Sequence, residues 1–74
     1  MAKVIEYRGC GIQYTNFEGT VDGCITWLEN NCVWVEYLES YRPKDDEEWI
    51  YYIIDDLGIS VPDSYIKVAR VKNN

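Results

Sequence analysis

The alternation of apolar and polar residues at the start of the chain predicts a β-hairpin. Lys3–Arg8 (KVIEYR) is rich in β-branched and aromatic residues, and Ile12–Glu18 (IQYTNFE) repeats this character. The Gly9-Cys10-Gly11 sequence between them is typical of a turn. We therefore expect two adjacent antiparallel strands.

After Gly19 the apolar residues take up a helical spacing. Thr20 is a suitable N-cap, because its side-chain oxygen can accept a hydrogen bond from a free backbone amide of the first turn. Asp22 adds favourable negative charge at the helix start. The pattern predicts a helix ending near Asn30, with an apolar stripe made of Val21, Cys24, Ile25 and Leu28.

Two further segments have the composition of strands. Cys32–Tyr41 (CVWVEYLESY) is apolar on both faces in its first half, which predicts a central position in a sheet, and its acidic second half is expected to enter solvent. Tyr65–Val71 (YIKVARV) is β-branched and is predicted as the last strand, followed by a frayed tail over 72–74.

Between these segments, residues 45–57 predict a second helix. Apolar residues recur at i, i+3, i+4 and i+7, which would bury Ile50, Ile53 and Leu57. Pro43 suits a helix start and Gly58 suits a left-handed helix end. The predicted class is therefore α+β with the order β-β-α-β-α-β, in one compact domain over 1–74. We expect a small mixed sheet of about four strands with both helices on one face.

The charge is concentrated in the middle of the chain. The net charge is −6, but residues 18–63 contain twelve acids and two bases, and the segment after them is basic. Phosphate groups would be repelled by this acidic region, which argues against direct binding of nucleic acid. A basic protein surface is the expected partner, since opposite charge speeds encounter.

The sequence contains few groups suited to catalysis or to binding a metal. Histidine is absent, and Cys10, Cys24 and Cys32 lack the close spacing of a zinc site or a redox dithiol. No glycine-rich phosphate loop leads into a helix. We therefore expect a non-enzymatic protein with no cofactor and no metal. The odd number of cysteines and the lack of a signal peptide or a membrane span predict reduced thiols in a cytoplasm, that of the host cell if the protein is viral.

The predicted second helix would present acids and tyrosines together on its outer face. Closely spaced carboxylates can imitate the phosphates of nucleic acid, and tyrosines supply rigid contact area. A solvated face without a binding role is the alternative interpretation. The predicted partner-binding residues, including two from the preceding strand, are Glu36, Glu39, Asp45, Glu47, Glu48, Tyr51, Tyr52, Asp55 and Asp56.

In size, charge and compact α/β layout, the chain resembles the small acidic proteins that bacteriophages encode to block host enzymes or defence complexes, anti-CRISPR proteins among them. This resemblance is one of composition and involves no motif. It implies an inhibitor that occupies a basic nucleic-acid-binding surface of a host protein. Two alternatives are a homodimeric accessory protein, joined through aromatics and a sheet edge, and a helix-turn-helix regulator built from 49–57 and a helical 62–71.

Overall fold

A computed structural model describes residues 1–45 and 49–73, with only the backbone of Asn73. Within these residues the predicted α+β class and the four-stranded sheet are confirmed. The described elements, in chain order, are β1 (Ala2–Arg8), β2 (Ile12–Gly19), α1 (Val21–Asn31), β3 (Val33–Val35), β4 (Ser40–Arg42), β5 (Tyr51–Asp56), β6 (Ile59–Ser60) and α2 (Asp63–Asn73).

The described strands form two antiparallel sheets. The larger has the order β2-β1-β5-β6, and β3 and β4 pair separately. The predicted first hairpin is confirmed, with Arg8 opposite Ile12 across the Gly9–Gly11 turn. Cys10 and Gly11 both have positive φ, at 77° and 78°, which reverses the chain within three residues.

The predicted first helix is also confirmed. The Thr20 side chain accepts a hydrogen bond of 3.0 Å from the Gly23 amide, as expected of an N-cap. Three members of the predicted stripe, Cys24, Ile25 and Leu28, are buried.

The prediction of a helix over 45–57 is wrong, because Tyr51–Asp56 forms strand β5 beside β1. Asp45 lies in a loop, and residues 46–48 of the predicted helix lie outside the described residues. Strand alternation buries Ile54 completely, whereas Leu57, expected in the core, is 80% exposed. The run Tyr-Tyr-Ile-Ile favours a strand, and pairing along β1 satisfies its backbone.

Gly58 does adopt positive φ, but it does so in a hairpin turn and not at a helix end. Leu57 has φ 55° and Gly58 has φ 86°, and they connect the paired residues Asp56 and Ile59. Positive φ at both central residues is the pattern of a type I′ turn. The Asp55 carboxylate accepts a hydrogen bond of 2.9 Å from the Gly58 amide.

The prediction of a strand over 65–71 is likewise wrong, because these residues belong to helix α2. The Pro62 carbonyl accepts hydrogen bonds from the amides of Tyr65 and Ile66, at 3.0 and 3.2 Å, which starts the helix. Asp63 in the first turn and the basic residues in the last turn match the helix dipole. The helix-turn-helix alternative is excluded, because the segment predicted as its first helix contains strand β5.

The predicted single strand over 32–41 is divided into β3 and β4 by a turn at residues 36–39. Glu39 has φ 51° in this turn, a conformation more usual for glycine or asparagine. The acidic residues of this segment are exposed as expected, since all of 36–39 lie in solvent. After the turn, however, the chain returns to the protein, because Tyr41 is buried and its ring packs edge-on against Trp34, with centroids 5.0 Å apart.

Both helices pack against one face of the four-stranded sheet. Val4 and Ile54 are opposite each other on the two central strands and are fully buried on this inner face. The core unites residues of both helices, β1, β4 and β5, together with the residue after α1: Ala2, Val4, Cys24, Ile25, Leu28, Cys32, Tyr41, Ile54 and Ile66. The other face of the sheet, here called the outer face, lies away from the described helices.

Candidate protein-binding surface

The turn between β3 and β4 presents an aromatic side chain between two acids. We call residues 36–39 (Glu-Tyr-Leu-Glu) the hairpin tip. Hydrogen bonds from Leu38 N to Val35 O and from Glu39 N to Glu36 O, both 3.2 Å, close the turn. Tyr37 is 78% exposed and Leu38 is 37% exposed, so the tip displays apolar surface beside its carboxylates.

Helix α2 holds both acids of the hairpin tip. The Lys67 ammonium lies 3.0 Å from a Glu39 carboxylate oxygen and 3.8 Å from a Glu36 oxygen. The hydrogen bond to Glu39 and its negative charge raise the pKa of Lys67. Exposed ion pairs contribute little stability. Their effect here is to orient two carboxylates against one ammonium, which leaves the tip with a net negative charge.

Trp34 connects the tip to the body of the protein. Its indole N–H donates a hydrogen bond of 2.7 Å to Glu36, and the Arg70 guanidinium lies 4.9 Å from its ring centroid. Glu36 therefore contacts Trp34 from β3 and Lys67 from α2. The hairpin tip is thus supported by the adjacent strand β3 and by helix α2, which is distant in sequence.

The other predicted partner-binding residues do not form one surface with the tip. Asp45 is exposed in the loop after β4, and Glu47 and Glu48 lie outside the described residues. Alternation along β5 places Tyr51 and Asp55 on the outer face of the sheet, but Tyr52 and Asp56 on the inner face. The expected acidic face of a single helix is therefore absent from 51–56.

The outer face carries a second group of aromatic and apolar residues. Tyr7 and Tyr51 are directly opposite on β1 and β5, and their rings stack with centroids 5.1 Å apart and an angle of 7° between planes. Ile5 and Ile53 form the adjacent pair and are half-buried. Tyr51 remains 43% exposed.

A buried acid, Glu6, was missed by the sequence analysis. It is 8% exposed on the inner face, forms an ion pair with Arg8 and accepts a hydrogen bond of 3.0 Å from the Asn16 side chain. Burial opposes ionisation, but the hydrogen bonds from Asn16 and Arg8 together lower the pKa of Glu6. The carboxylate is therefore charged and fully engaged, which suits a structural role. Glu6 follows Val4 by two residues, a spacing that places both side chains on the same face of a strand, so the sequence could have indicated its burial.

A β-bulge brings Asn16 to this acid. Val4 pairs with Phe17 and Ile5 pairs with Thr15, so Asn16 is the extra residue in β2. The same cluster includes the Tyr52 hydroxyl, which interacts with Glu6 and Cys32, and burial raises the pKa of both Tyr52 and Cys32. A high pKa keeps the phenol and the thiol protonated at neutral pH.

Among residues 1–45 and 49–73, no group of three or more His, Cys, Asp or Glu side chains is arranged to hold a metal ion. In the same described ranges, neither helix has the length and apolar character required to cross a membrane. Neither protein-family models, nor curated proteins, nor solved structures give a match to this chain.

Proposed function

We propose that this chain is a non-enzymatic protein-binding module whose hairpin tip docks into an apolar pocket rimmed by basic side chains. The observation that carries this function is the exposure of Tyr37 between Glu36 and Glu39, with both acids held by Lys67. Tyrosine is enriched among residues that dominate binding energy, and a partner pocket would remove its exposed ring from water.

The charge of the chain supports a basic partner. Residues 18–63 contain twelve acids and two bases, and the tip lies within this segment. A negative region attracts a basic surface before contact and repels competing acidic ones. Because nucleic-acid-binding proteins carry such basic surfaces, the specific role we propose is that of an inhibitor of phage or mobile-element type that blocks one of them in a host cytoplasm.

Photo-cross-linking from the tip tests this role. A benzophenone amino acid replaces Tyr37, and irradiation in a lysate of the native host is followed by mass spectrometry of the linked peptide. We expect a peptide rich in Lys and Arg from a nucleic-acid-binding protein. The matched control carries the same group at Tyr65, an exposed tyrosine of α2, and should not yield that peptide.

Affinity measurements with the captured partner then distinguish the contribution of the Tyr37 ring from that of the two carboxylates. Tyr37→Ala should weaken binding by about 30-fold or more, since a buried aromatic anchor accounts for about 2 kcal/mol or more. Glu36→Gln with Glu39→Gln should reduce both the affinity and its dependence on salt. The control pair Glu18→Gln and Asp22→Asn removes the same charge elsewhere and should have a smaller effect.

Competition with nucleic acid tests the inhibitor role. The parent protein should displace a labelled oligonucleotide from the partner, and Tyr37→Ala should do so only at higher concentration. If the oligonucleotide and the protein bind the partner together, the inhibitor role is wrong. If Tyr37→Ala and the double Gln variant bind as tightly as the parent, the hairpin tip is not the contact surface.

A further inference from the structure

The outer face of the four-stranded sheet has the composition of an interface. Both described helices pack on the opposite side, and the centre of the outer face holds Ile5, Ile53 and the stacked rings of Tyr7 and Tyr51. We propose that this face binds the same face of a second copy of the chain, forming a two-fold symmetric dimer of packed sheets.

Among the residues that the structure describes, the two ends of the outer face carry opposite charge along β5. Asp55 lies at one end of β5, directly opposite Lys3 on β1. The Lys3 ammonium lies 4.0 Å from a carboxylate oxygen of Glu18. This end therefore has two acids and one base. At the other end, the Arg42 guanidinium lies 5.9 Å from the centroid of the Tyr51 ring.

This charge pattern is self-complementary about one two-fold axis. The axis lies midway between the two sheets and is perpendicular to the strands, at the level of Ile5 and Ile53. Such an axis places β5 of one copy over β5 of the other in the reverse direction. Arg42 of each copy then faces Asp55 of the other copy, and the isoleucines pack at the centre. Packed sheets are separated by about 10 Å, a gap that the side chains of the two outer faces would fill. A same-direction arrangement would instead bring like charges together.

Charge reversal with rescue tests the dimer. Sedimentation equilibrium across the micromolar range should show a dimer for the parent chain. Arg42→Glu and Asp55→Lys should each weaken the dimer by about 10-fold or more, because each variant places like charges face to face twice. The double variant Arg42→Glu/Asp55→Lys restores opposite charges and should recover most of the parent affinity. A loss of folding cannot explain recovery in the double variant.

Apolar contacts are tested by a matched pair of substitutions. Ile53→Thr, at the centre of the face, should weaken the dimer, and Ile59→Thr, on the exposed strand β6, should leave it unchanged. Dimerisation that is insensitive to Ile53→Thr and to the single charge reversals would overturn the proposal, because another surface would then join the copies. A chain that remains monomeric throughout the micromolar range, or a double variant without rescue, would overturn it as well.

The hairpin tip contributes no residue to this face, so the two surfaces can be tested separately. Tyr37→Ala should leave the monomer–dimer equilibrium unchanged. Ile53→Thr should not change which partner peptide is cross-linked from position 37.

Discussion

The Asn16 side-chain amide donates a hydrogen bond of 3.0 Å to the Glu6 carboxylate, across the first two strands of the sheet. Glu6 also pairs with Arg8, so its charge is stabilised in the folded protein although the side chain is nearly buried. The resulting decrease in the pKa of Glu6 couples folding to pH.

The stability of the protein should therefore decrease in acid. A carboxyl group with a lower pKa in the folded state binds fewer protons there than in the unfolded state. Its contribution is present above the ordinary pKa of 4.5 and is lost as the pH falls through the lowered value. We expect the free energy of unfolding to fall less steeply below pH 4.5 in Glu6→Gln than in the parent. Urea titrations at several pH values would measure this difference, and identical slopes would contradict it.

Ile54 and Leu57 distinguish a strand from a helix in the same stretch. Ile54 is fully buried, so Ile54→Ala should lower the free energy of unfolding by about 2–5 kcal/mol. Leu57 is 80% exposed, and Leu57→Ala should change it by less than about 0.5 kcal/mol. If this stretch were the helix predicted from the sequence, Leu57→Ala would instead cause a large loss in the free energy of unfolding. Thermal or chemical denaturation of the two variants measures this contrast.

The turn between β5 and β6 should be improved by one substitution and damaged by another. Leu57 occupies the left-handed region, which costs a residue with a Cβ about 1 kcal/mol or more. Leu57→Asn creates the Asn-Gly pair preferred in type I′ turns and should stabilise the protein by up to about 1 kcal/mol. Gly58→Ala meets no neighbouring atom, yet φ 86° should make it destabilising. Equal stability of the two variants would show that the turn has another conformation.

The three free cysteines should react at very different rates. Cys10 is exposed, whereas Cys24 and Cys32 are buried. Burial raises the pKa of both inner thiols, which reduces the reactive thiolate as well as access. Iodoacetamide should therefore modify one cysteine quickly in the native protein and all three in denaturant. Intact-mass spectrometry over time gives the number, and rapid modification of Cys32 would contradict the packing around Tyr52.

Local signals account for the parts of the fold that could be predicted. Thr20 and the stripe through Cys24 and Leu28 specify α1, and the Gly-Cys-Gly turn specifies the first hairpin. Residues 50–57 were misassigned because neighbouring Ile53 and Ile54 suit either the stripe of a helix or the two faces of a strand. Pairing with β1, whose partner residues lie 44 or more positions earlier in the chain, decides between the two structures, and this pairing leaves no local sequence pattern.

The hairpin tip could be predicted only in part for a similar reason. Glu36 and Glu39 were identified from their charge, but no glycine or asparagine marks the turn, and Glu39 adopts positive φ without one. Tyr37 therefore appeared to be an ordinary strand residue. The contact with Lys67 joins positions 28 residues apart and depends on α2, which its β-branched composition concealed.

The bulge at Asn16 also bears on how the protein avoids fibrous aggregation. An edge strand offers free backbone groups on which a further strand can be templated, and β2 is the longer of the two edges. Inserting Asn16 breaks the regular spacing of those groups midway along β2. At the opposite edge, β6 has only two residues. Neither edge gives an incoming chain a long, regular ladder, so the sheet has a natural limit to its growth.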